Sequence, residues 1–322
     1  MDNERTKENN FSRNSELSFQ KNNFKTLNFH TSTILHLCQL KDGRLVSCAF
    51  DGLLTIYNKN SFNLVLSIKV HFGPIRSIVQ LNDERIITCS QDKTMKIIKL
   101  IGEDKYEIDQ TLTGHKDWVI NVIEIKENEL ISISKDPTMK VWIINNQNKF
   151  ECITNICLEE SFKNIIKINE KEFAISSCYY KYIKFWNSIN YTYIISIEDI
   201  IIVEPIRIMC MLNEDILSVG GSQGRGFYLI KISTHQLIKT IIGPYSISSI
   251  VKCRDGLILC AVWENKNYSI VKYKYENQNL IKIFEKEKAH KRYIWSCIEL
   301  NDKILASGGE DNLIKLWNDY IE

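Results

Sequence analysis

The sequence predicts an all-β fold made of seven repeated units that close into a ring. Two observations carry this prediction. A pattern of histidine, serine or threonine, and aspartate recurs at fixed spacing, and short runs rich in β-branched and aromatic residues surround it. Charged residues and turn-forming residues separate the runs, and no segment shows a sustained 3.6-residue apolar period of helical length. Four short antiparallel strands every 40 to 45 residues or so are typical of a β-propeller blade.

Four units align without a gap when they are counted from a histidine. A serine or threonine follows that histidine by 17 positions, and an aspartate follows it by 21. The four histidines are His30, His71, His115 and His290. The matching hydroxyl residues are Ser47, Thr88, Ser132 and Ser307, and the matching aspartates are Asp51, Asp92, Asp136 and Asp311.

Three less regular units fill the interval between His115 and His290. The alignment places Glu159 at the histidine position of the first of them and retains Ser176 and Trp186 at the serine and tryptophan positions. The total of seven units predicts a seven-bladed β-propeller of four-stranded antiparallel blades. The blades are expected to start near residues 30, 71, 115, 159, 202, 243 and 290.

The GH dipeptide, the aspartate at a fixed offset and the strand ends VW, FWN and LWN resemble the WD-repeat β-propeller family. The resemblance covers about residues 24–322. In that family the first strand of the sequence usually completes the last blade, and FKTLNF at residues 24–29 fits this role. Such closure pairs the last strand of the last unit and so covers its edge. We therefore predict a polar, disordered tail at residues 1–23 and a propeller at residues 24–322.

The recurrence also decides how the histidine, serine and aspartate are interpreted. A catalytic triad is needed once, beside an oxyanion site, whereas this set occurs four times at the same spacing. We interpret it as a structural network: aspartate accepts from histidine, histidine pairs with the hydroxyl, and the hydroxyl accepts from an indole N–H. The resemblance assigns complete networks to the third and seventh units, which add Trp142 and Trp317. Tyr57 and Ile98 replace the tryptophan in the first two units, so the last link is altered or missing there.

Composition and charge narrow the classes of function. The 322 residues include 41 basic and 39 acidic side chains, and this net charge of +2 lacks the basic excess typical of nucleic-acid binding. No apolar stretch reaches the roughly 18 residues that cross a bilayer, and the polar N-terminus has no secretory h-region. The ten cysteines include no Cys-x-x-Cys pair. We expect reduced thiols, no metal site and no cofactor in a cytoplasmic or nuclear protein.

In proteins of the resembled family, partner contacts cluster on the top face of the ring at three positions of each unit. These positions lie three and five residues after the histidine and one residue before the aspartate. Seven of the 21 corresponding side chains are aromatic, against a chain average of 10%, and enrichment in aromatic residues and arginine is typical of binding hot spots. The predicted top-face contacts are Phe50, Arg76, Trp118, Lys135, Phe162, Tyr179, Arg207, Trp263, Tyr293 and Trp295.

These features predict a non-enzymatic scaffold that binds peptide segments of other proteins, as a monomeric propeller within a larger complex. The alternative is a substrate receptor of a ubiquitin ligase. The predicted tail is too short for an F-box-like domain, and no arginine follows the strand ends as it does in adaptor-docking propellers. A propeller hydrolase would need carboxylates clustered at the inner strands. The single acidic residues there, Glu124 and Glu299, fall at unmatched positions in this alignment.

We predict that blades 4, 5 and 6 form the softer arc of the ring, because their units lack the histidine and aspartate together. Hydrogen exchange followed by mass spectrometry should show faster exchange in the strands of these blades than in the other four. Equal protection of all seven blades would contradict this prediction.

Overall fold

The chain is a seven-bladed β-propeller in this computed structural model, which describes residues 24–177, 179, 181–198, 206–221, 226–243 and 246–318. Every blade is a four-stranded antiparallel sheet, so the predicted fold class is confirmed. The first strands of neighbouring blades contact each other around the whole ring and surround a central channel. The predicted disordered tail and residue 202, the predicted start of the fifth unit, lie outside the described residues.

The N-terminal strand closes the ring, as the sequence predicts. Strand β1 (Phe24–Leu27) pairs antiparallel with β28 (Ile314–Asn318), and Phe24 lies opposite Trp317. The first strand of the chain therefore becomes the outer strand of blade 7. The two inner strands of that blade are β26 (Ile294–Glu299) and β27 (Ile304–Gly309).

In each of the other blades, four consecutive strands run from the channel to the rim, in the order in which they occur in the sequence. Blade 1 consists of β2 (Ile34–Gln39), β3 (Leu45–Ala49), β4 (Leu53–Tyr57) and β5 (Leu64–Lys69). Blade 2 consists of β6 (Ile75–Gln80), β7 (Ile86–Ser90), β8 (Met95–Ile101) and β9 (Lys105–Leu112). Blade 3 consists of β10 (Val119–Lys126), β11 (Glu129–Ser134), β12 (Thr138–Ile144) and β13 (Phe150–Cys157).

The less regular units also form complete blades. Blade 4 consists of β14 (Phe162–Lys167), β15 (Glu172–Ser177), β16 (Ile183–Asn187) and β17 (Tyr193–Ile197). Blade 5 consists of β18 (Ile206–Met211), β19 (Ile216–Gly221), β20 (Phe227–Lys231) and β21 (Gln236–Ile241). Blade 6 consists of β22 (Ser246–Lys252), β23 (Ile258–Glu264), β24 (Asn267–Glu276) and β25 (Asn279–His290). Within the described ranges, no helix is long and apolar enough to cross a membrane.

Apolar side chains of neighbouring blades meet in seven cores, one at each junction of the ring. Between blades 2 and 3, for example, Ile87 and Met95 pack with Val122 and Leu130. A single sheet cannot bury both of its faces, so each blade depends on two neighbours to remove its apolar side chains from water. Full burial of one such side chain is worth about 1.5–3 kcal/mol.

Polar side chains also join neighbouring blades around the channel. They lie six residues after the histidine position and accept a backbone hydrogen bond from the next blade. Ser296 Oγ accepts from Leu37 N at 3.1 Å, and Ser249 Oγ makes the equivalent bond from blade 6. In blade 1 the acceptor is His36 Nδ1, which lies 3.0 Å from Ile78 N. This bond requires a neutral His36 with its proton on Nε2.

We predict that His36 makes the stability of the ring depend on pH below about 6.5. Burial lowers the pKa of His36 to about 4 in the folded chain, against an ordinary value of 6.5. The contribution of neutral His36 to the stability of the fold is therefore fully present above pH 6.5. It decreases as the pH falls from 6.5 to about 4, because only the unfolded chain binds the proton there.

The slope due to His36 is expected to reach at most about 1.4 kcal/mol per pH unit. Urea denaturation of the wild type and of His36→Asn at a series of pH values measures it, because the asparagine amide keeps an acceptor but does not titrate. The variant should lose part of the pH dependence, and parallel curves for the two proteins would contradict the prediction.

Candidate functional site

The predicted polar network is complete in blades 3 and 7. In blade 3, Trp142 Nε1 donates to Ser132 Oγ at 2.9 Å. The Ser132 hydroxyl donates to His115 Nε2 at 2.8 Å, and His115 Nδ1 donates to Asp136 Oδ2 at 3.1 Å. Because a carboxylate only accepts, Nδ1 of the neutral histidine carries the proton. Nε2 therefore accepts from the serine, and the serine accepts from the indole. The corresponding residues of blade 7 are Trp317, Ser307, His290 and Asp311, joined at 2.9, 2.7 and 2.8 Å.

Blade 1 has an altered last link, in agreement with the sequence. His30 Nδ1 lies 3.0 Å from Asp51 Oδ2, and His30 Nε2 lies 2.7 Å from Ser47 Oγ. Thr55 then connects the network to the tyrosine that replaces tryptophan, because its hydroxyl donates to Tyr57 OH at 3.2 Å. The tyrosine is fully buried, so this bond satisfies a phenol that water cannot reach.

The aspartate of each network holds two loops at the top of its blade. In blade 2, Asp92 accepts from His71 Nδ1 at 2.8 Å and from the backbone N–H groups of Phe72 and Thr94, each at 3.1 Å. Burial raises the pKa of Asp92, but the hydrogen bonds from His71 and Thr94 outweigh burial and the pKa is lowered. His71 Nε2 completes the network with Thr88 at 2.9 Å. The Phe72 side chain is 95% exposed and was not among the predicted top-face contacts.

The anchored loops carry predicted top-face residues. In blade 3, Lys135 N donates to Trp118 O at 2.9 Å, and the Lys135 ammonium lies 4.3 Å from the centre of the Trp118 ring. Trp118 is 39% exposed, Phe50 is 43% exposed and Tyr179 is 67% exposed. These apolar side chains remain accessible on the top face.

Four predicted contacts from blades 5, 6 and 7 form one contiguous group, which we call the aromatic cluster: Arg207, Trp263, Tyr293 and Trp295. The Arg207 guanidinium lies 5.3 Å from the centre of the Tyr293 ring and 5.8 Å from that of Trp295. The Tyr293 ring lies 5.0 Å from Trp295 and 5.9 Å from Trp263. Sequence reasoning missed Tyr268, which lies opposite Trp263 in the sheet and 6.4 Å from Tyr293.

The aromatic cluster borders a cavity of about 130 Å³ in the central channel, which we call the channel mouth. Residues of all seven blades line it, and most lie five or six positions after the histidine position. The structure brings the predicted contacts Arg76, Arg207 and Trp295 together here. It adds Lys163 of blade 4, which the sequence analysis did not select.

The sequence alignment is wrong by one residue in blade 4. Phe162, a predicted top-face contact, is fully buried in the core between blades 3 and 4. Phe162 pairs with Ser177 as Val119 pairs with Ser134 in blade 3. This register puts Leu158 at the histidine position, one residue before the predicted start, and adds one residue to the turn between β15 and β16. A shift of one residue exchanges the two faces of a strand, which explains the burial of Phe162 and the position of the missed lysine.

The same shift removes the polar network from blade 4. Ile175 takes the place of the network serine, and Ser176 instead accepts from Asn164 Nδ2 at 3.1 Å. Trp186 keeps its predicted position opposite Phe173, but its Nε1 is buried and has no hydrogen-bond partner among the described residues. Blade 4 therefore carries the tryptophan of a network without its acceptor.

The two glutamates of the inner strands occupy equivalent positions in blades 3 and 7, contrary to the interpretation of the sequence. Glu124 and Glu299 both lie nine residues after the histidine of their blade. Glu124 Oε2 accepts from Asn82 N at 2.7 Å, and Glu299 Oε2 accepts from Arg254 N at the same distance. Each carboxylate thus binds a backbone turn of the preceding blade, which is a structural role.

One group of side chains on the opposite, bottom face has the atom types of a metal site. The possible ligand atoms of Cys253, Asp255 and Glu299 all lie within 4.8 Å of one another. Lys272, whose side chain is fully buried, places its ammonium 3.8 Å from Asp255. The lysine supplies positive charge at this position, and Glu299 is already engaged by a backbone N–H. Both observations favour a structural ion pair.

Comparisons with known proteins agree with this architecture. The family model described as "WD domain, G-beta repeat" matches residues 21–58, 62–99 and 279–318. The WD40 β-propeller domain in a crystal structure of Doa1 is similar, with a TM-score of 0.74 and 19% sequence identity. The match covers 92% of this chain and 96% of that chain. No curated protein sequence matches significantly.

We predict that the indole hydrogen bond stabilises the regular blades and is absent from blade 4. Trp142→Phe removes the donor to Ser132, whereas Trp186→Phe removes a similar volume but no hydrogen bond. The loss of folding free energy should be larger for Trp142→Phe by about 1–3 kcal/mol. Urea denaturation of the two variants measures the difference, and equal losses would contradict the prediction.

Proposed function

We propose that this chain, a seven-bladed β-propeller that contains WD40 repeats, is a non-enzymatic scaffold that binds peptide segments of other proteins on its top face. WD40 propellers generally mediate protein–protein interaction. The observation that carries the proposal for this chain is the aromatic cluster beside the channel mouth. Clustered tryptophan, tyrosine and arginine are typical of the few residues that dominate binding energy at protein interfaces.

The top face offers these groups on fixed supports. The β-strands hold Arg207 and Trp295, and the loops around Trp118 and Lys135 are tied down by the network of blade 3. Large aromatic side chains in fixed positions bind with little loss of conformational entropy. A peptide segment that crosses from blade 3 to the aromatic cluster would pass the channel mouth.

A cytoplasmic location of the protein fits the state of its thiols. All nine cysteines in the described part of the chain are free. Burial raises the pKa of Cys48 and Cys260 well above the ordinary value, so these thiols are poor nucleophiles. Such thiols suit a reducing compartment.

Affinity purification from cells with a top-face variant tests the proposal. The variant combines Arg76→Ala, Trp118→Ala and Trp295→Ala. The matched control changes two basic residues of the bottom face, Arg44→Ala and Lys99→Ala. Thermal melting verifies that both proteins are folded.

We expect a defined set of proteins to copurify with the wild type and with the bottom-face control. These proteins should be reduced at least tenfold with the top-face variant, because truncation of hot-spot residues costs about 2 kcal/mol or more each. A partner set that is the same for all three proteins would refute a binding site on the top face.

A further inference from the structure

The outer strand of blade 4 presents an uncharged edge. Strand β17 reads YIISI, whereas every other outer strand of the ring contains at least one charged residue. These charged residues include Lys25 in β1, Lys69 in β5, Glu107 in β9, Glu151 in β13, Lys239 in β21 and Lys282 in β25. Charged side chains on an edge strand hinder its pairing with another chain. Within the described ranges no strand pairs with the outer side of β17, and this edge lacks that protection.

Apolar side chains reach the solvent on both faces of β17. Tyr193, Ile194 and Ile195 are between 38% and 50% exposed. Tyr193 pairs with Trp186 and Ile195 pairs with Phe185, with Ile194 as the additional residue of a bulge. Trp186 and Phe185 belong to the cores on the two sides of blade 4, so Tyr193 and Ile195 lie on opposite faces. A strand that pairs with β17 would therefore cover apolar side chains on both faces.

The two ends of this edge carry opposite charges. Strand β17 runs from the bottom face to the top face, and the exposed Glu198 follows its last residue. At the bottom end, the exposed Lys171 lies beside the turn that leads into β17, because its carbonyl oxygen accepts from Ser188 N at 2.8 Å. In an antiparallel pair of two such edges, the acidic end of each meets the basic end of the other. Parallel pairing would instead place Glu198 beside Glu198, and like charges opposite each other are destabilising.

We infer that β17 pairs antiparallel with β17 of a second copy of this chain and joins two propellers at their rims. The inference goes beyond the proposed function, which concerns the top face. A second copy brings the same uncharged strand, so no like charges face each other across the new ladder. The pairing occupies the uncharged edge of both copies, and assembly therefore stops at a dimer with two-fold symmetry.

The dimer would present its two top faces in opposite directions, because antiparallel pairing reverses one copy relative to the other. One dimer would then hold two partner segments on opposite sides. A strand of five residues is a small contact beside the roughly 1,200 Å² or more that stable interfaces bury. We therefore expect a dissociation constant of roughly 10–100 μM. Below that concentration the propeller would be the monomer that the sequence predicts.

Sedimentation velocity of the full-length protein tests the inference at concentrations from about 1 to 300 μM, which bracket the expected dissociation constant. The variant is Ile195→Lys, which places a charge in the middle of the edge. The matched control is Ile153→Lys, because Ile153 lies on the outer strand of blade 3 and is 53% exposed, against 40% for Ile195. Melting temperatures verify that both variants are folded.

We expect the wild type and Ile153→Lys to change from monomer to dimer as the concentration rises. Ile195→Lys should raise the dissociation constant about tenfold or more, because a charged side chain blocks the pairing of an edge. Hydrogen exchange should slow in the backbone amides of β17 at high concentration in the wild type but not in Ile195→Lys. A wild type that stays monomeric at every concentration, or an Ile195→Lys variant that dimerises equally well, would overturn the inference.

Exchange of charges tests whether the second strand comes from an antiparallel copy. Glu198→Lys and Lys171→Glu should each weaken the dimer about threefold or more, because each places like charges at both ends of the ladder. An equimolar mixture of these two variants should restore dimerisation, because every end then joins an acidic and a basic side chain. A mixture that associates no better than the separate variants would refute the antiparallel arrangement.

Two further outcomes would also reject self-pairing. Oligomers larger than a dimer would show that the assembly does not close. Proteins that copurify with a monomeric wild type and are lost with Ile195→Lys would assign the edge to a different protein. These results leave the top-face proposal untouched, because Ile195 lies on the rim and the copurification experiment above changes other residues.

Discussion

The burial of apolar surface between blades is the interaction on which the rest of this structure depends. Both faces of a blade are apolar, so even large side chains such as Tyr57 and Phe173 are fully buried only because another blade covers them. Seven sheets that each require two neighbours close into a ring. The ring brings residues that are distant in sequence, such as Arg76, Arg207 and Trp295, to one cavity. Apolar packing thereby creates the polar site.

Two kinds of contact hold the top face. In the regular blades, a carboxylate such as Asp92 or Asp136 ties the loops to a buried histidine. The side chains that these loops carry are fixed in position as a result. In blades 5 to 7, ring stacking holds Arg207 in place against Tyr293 and Trp295. The first kind is directional and largely buried, whereas the second tolerates small displacements because ring contacts have a broad energy minimum. Residues of all seven blades line the channel mouth, so both kinds of contact border it.

Sequence reasoning predicted the fold, the closure by the first strand and the four networks, because these depend on spacings that recur along the chain. It failed in blade 4 for a physical reason. The strand Glu172–Ser177 is buried on both faces, so its apolar residues do not alternate and do not report which face each occupies. One additional residue in the following turn then left Trp186 in its predicted place and shifted Phe162. Lys163 was missed because of this register error, whereas Tyr268 was missed because strand pairing places it opposite Trp263.

The pairing of Phe24 with Trp317 has a consequence for biosynthesis. The ribosome makes β1 before any blade and β28 after all the others, so the first strand has no partner during almost the whole of translation. At about 5–20 residues per second, this interval lasts roughly 15 seconds to one minute. An unpaired strand can pair with strands of other nascent chains, and the cell must keep it apart from them. The ring can close only after β28 has been synthesised.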